Sequence, residues 1–137
     1  MSQSGEGPML VVGLGCRIRC SVESLTALIE ESLALHSLTV GDISALASID
    51  LKSSEPGLLT LSDRLRVPLV FFSADELRGF EAQLSHRSQV AFDATGCYGV
   101  AESAALALAT RQSRHPVCLL ITRRENTHAT FALAGYL

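Results

Sequence analysis

Between Ile43 and Leu65 the chain changes its periodicity once, and that change narrows the fold more than any other feature. Ile43 to Ile49 is an apolar run of strand length. Pro56, preceded by Ser54 and Glu55, sits where a first helical residue belongs, and Leu58, Leu59, Leu61 and Leu65 follow it. A buried strand that feeds a helix through a short loop is a building unit of an α/β sheet. The loop carries Asp50, Lys52 and Glu55. In open α/β sheets, ligands bind outside the carboxyl ends of the strands, where this loop belongs. A structural reading stands beside that one: Glu55 serves the helix N-terminus and Lys52 neutralises Asp50.

The same alternation recurs along the chain. Met9 to Leu14 reads as a buried strand punctuated by Gly13 and Gly15. Ser21 caps a helix whose Val22, Leu25, Leu28, Ile29 and Leu33 share one face. Val67 to Phe72 is a third strand, followed by the capping box Ser73-Ala74-Asp75-Glu76 with Phe72 and Leu77 as its staple. Val90 to Ala94 reads as a short strand or an extended loop. Val100 to Thr110 is an Ala-rich helix suited to close packing on a sheet. Val117 to Thr122 is a fourth strand, Arg123 to Thr127 a polar turn, and His128 to Gly135 a final strand closing an antiparallel hairpin. The expected fold is a three-layer α/β/α sandwich. Its mixed, mostly parallel sheet ends in that hairpin. Residues 1–8 read as a flexible lead and 9–137 as the folded domain.

Several function classes are disfavoured by composition. A net charge of −3 argues against nucleic acid as a bulk electrostatic partner. No apolar run approaches the ~18 residues that span a bilayer, and the polar N-terminus lacks a signal-peptide core. The cytoplasm is the expected location. Cys16, Cys20, Cys97 and Cys118 form no C-x-x-C pair, so neither a metal site nor a disulfide frame is expected. No cofactor is expected either. Gly13-Leu14-Gly15 begins like a dinucleotide fingerprint, but Ile18 stands where the third glycine belongs.

The candidate site gathers at the strand ends. Gly15, Cys16, Arg17 and Arg19 follow the first strand; Asp50, Lys52 and Glu55 follow the second. Gly96, Gly99 and Glu102 surround the start of the Ala-rich helix, and Arg123 and Arg124 follow the fourth strand. If these strand ends share one edge, Arg17, Arg19, Lys52, Arg123 and Arg124 concentrate positive charge on an acidic chain. Such a rim suits a polycarboxylate or a phosphate. Glu102 reads as a capping acid or as a site carboxylate. Cys16 reads as a packed thiol or as a nucleophile whose pKa the neighbouring arginines lower. His36, His86, His115 and His128 are scattered without a clear partner.

Four segments together resemble the CobE/CbiG C-terminal domain family of cobalamin-biosynthesis proteins. They are Val12-Gly13-Leu14-Gly15-Cys16-Arg17, Ala47 to Leu58 with Asp50-Leu51-Lys52 and Pro56-Gly57, Val70 to Leu77, and Gly99 to Ala105. The resemblance covers nearly the whole chain in order. It implies an α/β/α domain acting in corrin-ring assembly, with a precorrin or corrin-ring intermediate as ligand and other pathway enzymes as partners. The family often shows a lysine near the end of the fourth strand, where this chain has Thr122-Arg123-Arg124. Three readings follow: an accessory or carrier protein that binds the tetrapyrrole intermediate, a hydrolase of a precorrin lactone using Cys16, Asp50 or Glu102, and a protein–protein module supporting a pathway methyltransferase. Because each follows a strand or opens a helix on the side where open α/β folds bind ligands, Gly15, Cys16, Arg17, Asp50, Lys52, Glu55, Gly99, Glu102 and Arg123 are expected around one cleft.

Overall fold

The computed structural model describes residues 8–17 and 19–137, so most of the lead expected over residues 1–8 lies outside the described residues, as does Ile18. Five strands form one mixed sheet in the order β3-β2-β1-β5-β4. They are β1 Met9–Cys16, β2 Ala45–Ile49, β3 Leu69–Phe72, β4 Cys118–Glu125 and β5 Ala129–Tyr136. The first three are parallel, while β5 is antiparallel to both β1 and β4. The carboxyl ends of β1, β2, β3 and β4 therefore point to one edge of the sheet. Central β1 is paired on both sides, with Val12 opposite Leu46 and Leu133.

Strand periodicity divides the side chains between two cores. Leu10, Val12 and Leu14 face one side, where α1 (Val22–Ala34) and α2 (Pro56–Leu65) bring Leu25, Leu28, Ile29, Leu33, Leu58 and Leu61. Each fully buried leucine of this core contributes about 1.5–3 kcal/mol over an exposed one. On the other side Val11, Ala45, Ala47 and Ile49 meet α3 (Ala74–Arg78) and α5 (Val100–Gln112). Helix α5 is buried continuously from Val100 to Ala109 and sits directly on β1. A Cβ at Gly13 would collide with the carbonyl oxygen of Ala101 and the backbone nitrogen of Ala105. That glycine serves the approach of a helix to a sheet, not a nucleotide.

Capping sets several boundaries. Ser21 Oγ accepts from Ser24 N at 3.0 Å, and the capping box between Ser73 and Glu76 forms with both hydrogen bonds in place. Residues 90–94 are neither strand nor extended loop. They belong to α4, Gln89–Thr95. Local chemistry decides this: Ser88 Oγ accepts from Ala91 N at 3.1 Å, Thr95 Oγ1 donates to Ala91 O at 2.7 Å, and Gly96 ends the helix at φ 83°. The hairpin is also tighter than its sequence suggests. Strand β4 continues through Arg123 and Arg124 to Glu125, and β5 starts at Ala129.

Candidate functional site

At the carboxyl edge of the sheet, the ends of β1 and β4, the turn after β2 and helix α4 enclose a cleft of about 370 Å³. Gly15, Cys16 and Arg17 enter it from β1, Ile49 and Lys52 from β2 and its following turn, and Arg123 from β4. The hairpin turn contributes Glu125 to Thr130. The opposite wall is Ser88, Val90, Ala91, Ala94 and Thr95 of the α4 segment, with Tyr98 and Gly99 behind it.

The cations are placed by the sheet. Arg17 follows β1 and donates its backbone N–H to His128 O at 2.9 Å, which joins it to the start of β5. Arg123 lies where the β4–β5 register shifts between Ile121 and Arg124. Such irregularities re-aim side chains at the rims of sheets. The Arg123 N–H goes to Glu102 Oε2 at 2.8 Å, and its guanidinium stands 4.0 Å from the Glu125 carboxylate. Lys52 completes the group from the short turn Asp50–Lys52. Arg17, Lys52 and Arg123 thus face one cleft, with Glu125 as the carboxylate among its lining residues.

Other candidates stand elsewhere. Asp50 is exposed and does not line the cleft. Glu55 accepts the Arg19 N–H at 2.8 Å, closing the loop after β1 onto the start of α2. Arg19 borders a separate shallow depression beside Ser21 and Pro56. Arg124 points to the opposite side of the sheet, where its Nε donates to the buried Ser32 Oγ at 3.0 Å. The rim therefore holds fewer cations than the sequence suggests, because neighbouring residues on a strand face opposite ways.

Glu102 is buried at the start of α5 and does not line the cleft. Its carboxylate accepts from Ser85 N at 2.8 Å, from Ser85 Oγ and from Arg123 N. These donors come from the segment leading to α4 and from β4, so one carboxylate ties the supports of both cleft walls together. Cys16 sits on the sheet side of the cleft with its thiol pKa pushed far above the ordinary value. Burial is the largest cause; a hydrogen bond with Cys20, the charge of Cys20 and the charge of Glu55 act in the same direction, and Lys52 opposes them weakly. This direction supports the packed-thiol reading of Cys16 over the nucleophile reading.

Sequence reasoning missed Val90, Ala91, Ala94, Tyr98 and His128. The three residues of α4 had a signal, since Ala94 is four residues after Val90 and three after Ala91, and both spacings make neighbours on a helix surface. It was hidden by reading the segment as extended.

The family model described as cobalamin synthesis G C-terminus matches residues 10–134. Protein CobE of Sinorhizobium sp is 39% identical over 129 residues, which cover 94% of this chain and 81% of that protein. A cobalt-precorrin-5A hydrolase of Priestia megaterium is 34% identical over 98 residues, 72% of this chain but 26% of the hydrolase. The crystal structure of CobE, a protein from the cobalamin (vitamin B12) biosynthetic pathway, superimposes with a TM-score of 0.90 at 43% identity. That match covers 95% of this chain and 92% of the crystallised one. No helix among the described residues is long and apolar enough to cross a membrane.

Proposed function

We propose a role that proceeds from one premise: the chain belongs to the cobalamin synthesis G C-terminus family and is a cobalamin-biosynthesis protein. In that role it binds a precorrin or corrin-ring intermediate in the cytoplasm and holds it for the next enzyme of the pathway. The observation that carries the reading is the convergence of Arg17, Lys52 and Arg123 on one cleft of a chain whose net charge is −3. A tetrapyrrole intermediate carries acetate and propionate arms around an apolar ring. Guanidinium forks and an ammonium group match the arms, and a partly apolar cleft matches the ring.

The hydrolase reading has less support. A thiol held in its protonated form is a poor nucleophile. Glu102 is engaged by three donors from the chain, and Asp50 stands outside the cleft. The chain spans only 26% of the Priestia hydrolase, so that enzyme's activity does not carry over with the shared segment.

The test is a titration of a corrin-ring intermediate, followed by its visible absorption. Arg17→Ala, Lys52→Ala and Arg123→Ala should each weaken binding about ten- to a hundred-fold, the worth of one charge-assisted hydrogen bond. Added salt should weaken it further, because exposed charges are screened. If the three variants bind like the unmodified chain, the carrier reading is wrong. A new absorbing product formed by the unmodified chain, and lost in Cys16→Ser, would put the hydrolase in its place.

A further inference from the structure

We propose that Ala91 and Ala94 are specificity-determining residues of this cleft. With Val90 they form an apolar shelf for the flat face of a ring whose acid edge lies on Arg17, Lys52 and Arg123. The inference rests on the binding role proposed above and assigns the part of the site that reads the ligand's shape.

Helix α4 is where the fold leaves apolar surface unused. None of its residues is buried. Its attachment to the molecule uses Phe92, whose ring stacks on Tyr98 at 4.6 Å. Gln89 and Asp93 bond to each other at 2.9 Å on an exposed side. Thr95 also lines the cleft but turns its hydroxyl back to Ala91 O at 2.7 Å, which leaves Val90, Ala91 and Ala94 as the apolar residues the helix presents there. Val90 is 79% exposed, so the folded chain gains almost nothing from its side chain. Methyl groups at 91 and 94 keep the helix surface low, which lets a flat body lie against it.

Charge complementarity names the occupant. The strand-end side of the cleft presents Arg17 and Arg123, and Lys52 of the turn after β2 lines it with them. A ligand that satisfies both walls is apolar across one face and anionic along one edge. A cleft of about 370 Å³ is at the small end of the ~300–1,000 Å³ usual for drug-sized ligands. A tetrapyrrole with its acid arms exceeds it, so one edge enters and the rest of the ring stays outside. That geometry leaves the outer half of the ring free for a second protein to grasp.

Uroporphyrin, a flat tetrapyrrole with carboxylate arms, is the probe, titrated by its absorption against the full chain. Ala91→Lys and Ala94→Lys add positive charge near a polyanion. They should nevertheless weaken binding about ten-fold, because a long charged side chain lifts the ring off the shelf. Val90→Ser should weaken it by about three-fold for lost apolar contact. Val90 and Ala94 are exposed, so Val90→Ser and Ala94→Lys should keep the melting temperature of the unmodified chain. Equal or tighter binding by the lysine variants overturns the shelf. If Arg17→Ala still weakens binding in that case, the cationic grip survives and only the shelf fails. If the unmodified chain does not bind uroporphyrin, the shelf fails with it, and titration of a corrin-ring intermediate judges the binding role separately.

Discussion

The two walls of the cleft are made by different means. On one side, Arg17 and Arg123 grow out of strands, and the backbone of each is held by a distant part of the chain: Arg17 by His128, Arg123 by Glu102. On the other side, α4 is held mostly by its own neighbours. Ser88 caps it, Gly96 ends it, Phe92 stacks on Tyr98, and Ser88 N donates to Tyr98 O at 2.9 Å, so both ends of the segment meet. A surface loop whose ends meet and whose own side chains pack it is a common carrier of function. Charges need fixed geometry to be worth their desolvation, whereas an apolar face works over a range of positions. The molecule puts the first on the sheet and the second on a local helix.

Glu102 is where the comparison breaks most easily, because it serves both walls. Glu102→Ala should cost about 1–3 kcal/mol, since it leaves the half-buried Arg123 N–H without its acceptor, whereas the exposed Ser85 can turn to water. Thermal unfolding measures the loss, and amide exchange should quicken at both Ser85 and Arg123. Protection retained at either would show that the walls are not joined through this carboxylate.

Phe92→Ala sharpens the contrast by loosening one wall alone. An aromatic pair contributes about 0.5–1.5 kcal/mol beyond its area, so global stability should fall little. Exchange in residues 89–95 should rise while β1 and β4 keep their protection. A uniform rise across the sheet would mean that α4 is part of the core after all.

The smallest effect concerns Cys16 at the root of the cationic wall. Its pKa is raised in the folded chain, so between the ordinary thiol value and the raised one the unfolded state binds fewer protons. Stability from this thiol is therefore complete below the ordinary value and is lost as pH rises above it. Cys20 and Cys97 are shifted in the same direction by burial. Cys16→Ser should flatten the alkaline limb of a stability-versus-pH curve without abolishing it. An unchanged limb would mean that the burial of Cys16 carries no linkage.

Legibility in the sequence followed the range of the forces involved. The strands were readable because each is an apolar run, and the Ser73–Glu76 box because its partners are three residues apart. Arg17, Lys52 and Arg123 could be placed at one edge only on the condition that β1, β2 and β4 run in the same direction, which the β1–β2, β1–β5 and β4–β5 pairings supply. Helix α4 was misread because Val90 and Phe92 favour strands, whereas its caps at Ser88, Thr95 and Gly96 decide the outcome. Arg124 was misplaced because its partner Ser32 is far away in sequence and on the other face. The role of Glu102 was hidden for the same reason, since Ser85 and Arg123 reach it only after the sheet and loop have assembled.

The pairing of β1 with β5 also has a consequence in time. Met9 lies opposite Tyr136 and Cys16 opposite Ala129, so the central strand waits for the last described strand to be synthesised. Contacts this distant in sequence close slowly, and a chain still on the ribosome has not yet made them. Arg17 gains its His128 partner and Arg123 its neighbouring strand only at that moment. A chain in which β5 has not yet docked therefore lacks the His128 partner of Arg17 and the strand beside Arg123, and the edge that carries both is incomplete until it does.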